Sequence, residues 1–183
     1  MKSVKLTAVA LAAILSAAAV PALAQVMVGG APMYSSKDIV DNAVNSKDHT
    51  TLVAAVKAAG LVPTLKGAGP FTVFAPTNAA FAALPAGTVD TLLKPENKAA
   101  LTKVLTYHVV AGKLETAALI KAVDAGGGKA TLTEVSGGTL TITKSGTMIM
   151  LSDESGGMAH VTIPDVVQSN GVIHVVDKVL LPK

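Results

Sequence analysis

Phe71-Thr72-Val73-Phe74-Ala75-Pro76-Thr77-Asn78-Ala79-Ala80-Phe81 reads as a strand, a stop and a helix start in quick succession. Phe71 to Ala75 is β-branched and aromatic, the composition of a buried strand. Pro76 ends it, because proline has no amide hydrogen for a ladder bond. Asn78 is suited to cap the helix that follows, in which Phe81 and Leu84 face inward. About ninety residues later comes a second apolar block, Asn170-Gly171-Val172-Ile173-His174-Val175-Val176-Asp177-Lys178-Val179-Leu180-Leu181-Pro182. Alternation across it places His174 on the same face as Val172 and Val176. Both blocks are folding instructions, and neither requires a nucleophile or a base.

Outward from these blocks, the first half reads as helical. Ile39, Val40, Ala43 and Val44 recur at helical spacing, with Asp38 early for the helix dipole. Asp48 is placed to cap a second helix whose Leu52, Val53, Val56 and Ala59 form one face, with Gly60 as its stop. Pro95 opens a helix running to Leu105, Thr106 to Val110 reads as a strand, and Glu115 to Val123 as a helix. The period then changes to alternation. Strands are expected at Ala130–Val135, Thr139–Thr143, Met148–Leu151, Ala159–Ile163 and Val172–Val176, with Gly137-Gly138, Ser145-Gly146 and Gly156-Gly157 as turns. Helices first and strands later make an α+β chain.

The N-terminus carries the marks of export. Lys2 and Lys5 precede an apolar run from Leu6 to Val20, and Ala22-Leu23-Ala24 supplies a cleavage signal. Residues 1–24 are therefore expected to leave as a signal peptide, and 25–35 to form a flexible leader. That apolar run is short of the roughly 20 residues a membrane span needs, so no span is expected after cleavage. A periplasmic or extracellular bacterial protein follows. The chain has 183 residues, no Cys and no Trp, so thiolate metal sites and disulfides are excluded. Its lysines are scattered without a basic stripe and its aromatics are few, which argues against nucleic acid as a partner.

With Tyr107-His108-Val109-Val110 between them, the two apolar blocks resemble the signature boxes of the fasciclin domain, and the short motif resembles that family's tyrosine-histidine pair. The resemblance covers nearly all of 37–182 and implies a fasciclin domain at 36–183. It implies a β-sandwich-like wedge of about seven strands with helices packed along it. The matching positions are Thr72, Phe74, Ala75, Pro76, Asn78, Phe81, Tyr107, His108, Asn170, Gly171, His174 and Asp177. Two positions depart from the pattern: His49 replaces the usual aromatic, and Ala111 stands where a proline often follows. In animal matrix members the tyrosine-histidine motif is associated with integrin binding.

Residue chemistry favours a structural reading of these positions. Val104, Leu105, Val109 and Val110 around His108 predict a buried, neutral imidazole held by a backbone hydrogen bond. His174 reads likewise, with Asp177 as one available partner. His49, His108, His160 and His174 lack the close spacing of a metal site, and no cofactor is implied. No nucleophile elbow or phosphate loop occurs, and Asp153 and Glu154 sit in a turn expected to be solvated. A non-enzymatic interaction module is expected, binding protein or polysaccharide at a cell surface or matrix. The second reading is a carrier of a small apolar ligand such as a carotenoid or lipid. Met148 and Met150 are then weak candidates for a groove, although ordinary core packing accounts for them as well. Tyr107 and His108 are the other weak binding candidates.

Overall fold

A computed structural model describes residues 25–183; the expected signal peptide at 1–24 lies outside the described residues. The α-helices all precede residue 126: α1 (Ile39–Ala43), α2 (Thr50–Ala59), α3 (Val62–Leu65), α4 (Asn78–Ala82), α5 (Thr88–Leu92), α6 (Lys98–Tyr107) and α7 (Thr116–Ala125) among the described residues. The strands are β1 (Met27–Val28), β2 (Ala31–Pro32), β3 (Phe71–Pro76), β4 (Val109–Ala111), β5 (Lys129–Thr133), β6 (Thr139–Ser145), β7 (Met148–Ser152), β8 (Met158–Gln168) and β9 (Gly171–Val176). Seven of them form one sheet in the order β4-β3-β9-β8-β7-β6-β5. A single bridge, Val110 to Glu134, brings its two ends together. The α+β class and the seven strands are as expected. The sandwich-like form comes from one sheet curling on itself into a near-barrel.

The two signature blocks meet as adjacent interior strands, second and third in the sheet. β3 and β9 pair in parallel from Phe71 opposite Gly171 to Pro76 opposite Val176. Every residue of β9 is buried, the continuous apolar pattern of a parallel strand covered on both faces. Gly171 is required there: a Cβ would overlap the carbonyl of Phe71. Odd and even positions of the two strands feed separate cores. Val73, Ala75, Ile173 and Val175 join α1, α2 and α6 in one. Phe74 and Val176 join Tyr107, Leu119, Val123, Ile142 and Leu151 in the other.

Four local expectations are corrected. Residues 25–35 are no flexible leader: β1 and β2 form a hairpin, the Met33 amide donates to the Val26 carbonyl at 2.9 Å, and Val28 and Met33 enter the first core. Tyr107 ends α6 instead of lying in a strand, and β4 begins only at Val109. Thr77, in the extended conformation of an N-cap, caps α4 by accepting from the Ala80 amide. Asn78 is thereby moved into the helix and caps a different one. Its Oδ1 accepts from the Thr51 amide at 3.0 Å and its Nδ2 donates to the Lys47 carbonyl at 2.8 Å. It thus does for α2 what Asp48 was expected to do, since no flanking side chain caps that helix. Gly60 closes α2 in the left-handed conformation, as expected.

Asn170 anchors the helical layer to the sheet. Its Oδ1 accepts from the Ile39 amide at 3.1 Å, and its Nδ2 donates to the carbonyls of Leu65 (2.7 Å) and Gly67 (3.0 Å). Removing it strands three backbone groups in two segments, each costing about 1–3 kcal/mol when unsatisfied. Asn170→Ala should therefore lower unfolding free energy by about 3 kcal/mol in urea titrations. A loss below about 1 kcal/mol would mean that water replaces the amide there.

Candidate functional site

Tyr107 and His108 lie at the junction of α6 and β4, and neither reaches the surface: they are 0% and 2% exposed. The Tyr107 hydroxyl donates to the Thr139 carbonyl at 2.8 Å and accepts from the Glu154 amide at 3.2 Å. It clamps the start of β6 to the β7–β8 turn, and burial raises its pKa. The His108 Nδ1–H donates to the Val104 carbonyl at 2.8 Å, while Nε2 accepts from the Leu180 amide at 3.0 Å. The imidazole pins the C-terminal segment to the core. Burial pushes it down to about 4, against the smaller opposing pull of the Val104 carbonyl and Asp153.

Most of the other motif positions are interior too, whereas Asn78 and Asp177 are only half-buried. Thr72 Oγ1 donates to the Gly112 carbonyl (2.7 Å) and accepts from the Leu114 amide (2.9 Å). Phe74 stacks on His174 with ring centroids 5.6 Å apart. Ala75 and Phe81 are buried in the first core, and Pro76 ends β3. His174 donates from Nε2 to the Leu114 carbonyl at 2.7 Å and accepts at Nδ1 from the Asp165 amide at 3.3 Å. Asp165 sits between Ile163 and Val166, where the ladder register shifts, and has a left-handed φ of 54°. Its Oδ1 accepts from the Thr116 amide at the start of α7. This bulge ties strand to helix, and its non-glycine left-handed residue carries no warning in the sequence.

Asp177 does not partner His174. It lies beside His160 instead, accepting from that residue's amide (2.7 Å) and from Nδ1–H (2.9 Å). In the sequence, His160 has no histidine at close spacing to mark it as a ligand. The hairpin from β8 to β9 brings Asp177 to it, and only the register makes that visible. The Asp153–Glu154 turn is also more structured than expected. Asp153 accepts from the amides of Ser155, Gly157 and Leu181, and Glu154 Oε1 from the Thr139 amide and hydroxyl.

The apolar space lies away from the methionine strand. A cavity of about 50 Å³ sits between α1–α3 and the β3–β9 pair, lined by residues including Val40, Leu52, Val56, Val73 and Ile173. That is a third of the roughly 150 Å³ that admits benzene. His49 borders it: Nδ1 lies 2.9 Å from Ser46 Oγ, and Nε2 has no partner among the described residues. Met148 and Met150 face outward on β7, while Ile149 and Leu151 face the second core. They are neither core residues nor part of this cavity. Among the described residues, no group of three or more His, Cys, Asp or Glu side chains has metal-binding geometry, and no helix is long and apolar enough to cross a membrane.

A histidine depressed by burial gives stability a defined pH window. Above the unfolded value of 6.5, His108 is neutral in both states. As pH falls from there towards 4, the unfolded chain takes up a proton that the folded chain refuses, and about 3 kcal/mol is lost. His49 and His174, also lowered by burial, act in the same direction. Urea unfolding between pH 7.5 and 4 should show this fall, and His108→Gln, which cannot titrate, should flatten it. A wild-type profile that stays level across the window would contradict the buried neutral assignment.

Comparison with known proteins agrees with this geometry. The fasciclin-domain family matches residues 47–182. Protein sll1483 of Synechocystis sp. is 49% identical over 158 residues, covering 85% of this chain and 79% of that protein. Immunogenic protein MPB70 of Mycobacterium bovis is 39% identical over 145 residues, covering 76% of this chain and 66% of its own. A solved FAS1 domain pair from the insect cell adhesion molecule Fasciclin I aligns with a TM-score of 0.71 at 16% identity, over 79% of this chain and 51% of that one. That last likeness establishes the shared fold. With a match spanning most of its length and signature residues building its two cores, this chain belongs to the fasciclin-domain family.

Proposed function

We propose that this chain is an exported, non-enzymatic interaction module, delivered to the periplasm or the cell exterior by residues 1–24, that attaches to protein or polysaccharide at a cell surface or matrix. The observation that carries this reading is the burial of the family motif. Tyr107, His108, Asn170 and His174 are occupied with internal hydrogen bonds, so recognition falls to exposed loops and the outward sheet face. The family's solved member from a cell adhesion molecule supports the direction. The carrier reading is weaker, because a cavity of about 50 Å³ is too small for a carotenoid without displacing helices.

A lone domain binds weakly, and joining two copies raises apparent affinity by about 10²–10⁴ when both can engage. Binding of the fluorescently labelled protein to whole cells and to extracted envelope polysaccharide should rise by at least about ten-fold in a tandem fusion over the single domain. Equal retention of both forms, or none of either, would count against attachment. His108→Ala should reduce binding only in step with its lower melting temperature. Lost binding at an unchanged melting temperature would place His108 in the contact after all.

A further inference from the structure

Three outward methionines and a histidine share one patch of the sheet. β7 carries Met148-Ile149-Met150, and β8 carries Met158-Ala159-His160. Ile149, Leu151 and Ala159 point into the second core, so alternation turns Met148, Met150, Met158 and His160 to the opposite face. Met148 and Met158 are 51% and 45% exposed, two of the six large apolar side chains left at the surface among the described residues. The antiparallel register sets Met150 directly opposite His160 and Ser152 opposite Met158. Directly opposed Cβ atoms lie about 4.5–5.5 Å apart and diagonal ones about 7–8 Å. A thioether on three rotatable bonds closes those gaps.

His160 is prepared for a ligand. Its Nδ1–H donates to Asp177 Oδ2 at 2.9 Å, and Asp177 is itself fixed by the His160 amide at 2.7 Å. A carboxylate acceptor requires the neutral imidazole's proton to sit on Nδ1, which leaves the Nε2 lone pair free on a ring 39% exposed. Carboxylate, imidazole and open Nε2 in series is the arrangement that orients metal-bound histidines. The donors around it decide which metal. Thioether sulfur is a poor ligand for calcium, magnesium or zinc and a good one for Cu(I). The other residues paired with this patch, Thr143, Ser145 and Ser152, add only hydroxyls. We infer that His160 Nε2 and the Met150 thioether, flanked by the thioethers of Met148 and Met158, form a surface site for Cu(I).

The site binds without a redox step. Cu(I) is taken up as such, and sulfur donors that cannot form disulfides remain usable outside the cell. An apolar docking patch would use the same methionines, so the test must separate sulfur from apolar area. Leucine keeps the area and removes the lone pair.

Purified protein would be titrated with Cu(I) under nitrogen and ascorbate, in competition with the chromogenic chelator bicinchoninate. One Cu(I) per chain is expected. Met150→Leu and His160→Ala should each weaken it at least about ten-fold, and Asp177→Asn about ten-fold through loss of the imidazole's orientation. Met27→Leu, at an isolated methionine 55% exposed, should leave affinity unchanged. Titration with redox-inert Ag(I) should shift the methyl signals of Met148, Met150 and Met158 in methionine-labelled protein, and not that of the buried Met33. No competition with the chelator, or a silent Met150→Leu in a protein with unchanged urea stability, would overturn the site. So would a loss in Met27→Leu equal to that in Met150→Leu.

Discussion

β3 and β9 begin about a hundred residues apart and lie side by side in parallel. A tight turn cannot join parallel strands, so the intervening chain must leave the sheet and return. That journey supplies α4 to α7 and the whole β5–β8 meander. The pair is buried on both faces because each face feeds a different core. Gly171 is the residue without which the backbones could not approach, and Phe74 stacked on His174 fixes the register from the side-chain layer. Such pairing closes a long loop and waits for distant contacts before it is rewarded.

Polar groups inside the molecule serve this assembly. Asn170 joins α1 and the end of α3 to the start of β9, His108 joins α6 to the C-terminal segment, and Tyr107 joins α6 to two turns. His174, with Asp165, holds the start of α7. A buried polar side chain is tolerated only when its hydrogen bonds are made, so each of these residues selects one arrangement of distant segments. A few atoms remain without partners among the described residues: His49 Nε2, Thr116 Oγ1 and Glu134 Oε1. His49 is the informative one, since it stands where the family usually carries an aromatic ring and borders the apolar cavity.

On the function proposed above, recognition falls to the exterior. The signature residues are committed to internal bonds, and the cavity is too small for a sizeable ligand. What faces solvent is a sheet surface with threonines on β5 and β6 and methionines with a histidine on β7 and β8. A rigid sheet whose inner face is locked by packing can vary its outer face at little cost in stability. That separation lets one fold present different surfaces to different partners.

Periodicity and proline act through neighbouring residues, so the α+β class, the strand-stop-helix block at 71–81 and the alternating strands after Lys129 were legible in the chain alone. The buried state of His108 was legible too, since four apolar neighbours surround it in the chain. Folding in three dimensions was needed to settle which helix Asn78 caps, that 25–35 docks as a hairpin, and that Asp177 serves His160 and not His174. Alternation alone made Met148 and Met150 neighbours, but which face of β7 meets a core depends on where α7 packs. Those choices depend on groups far apart in the chain, and local propensity has no term for a partner that arrives only when the sheet curls.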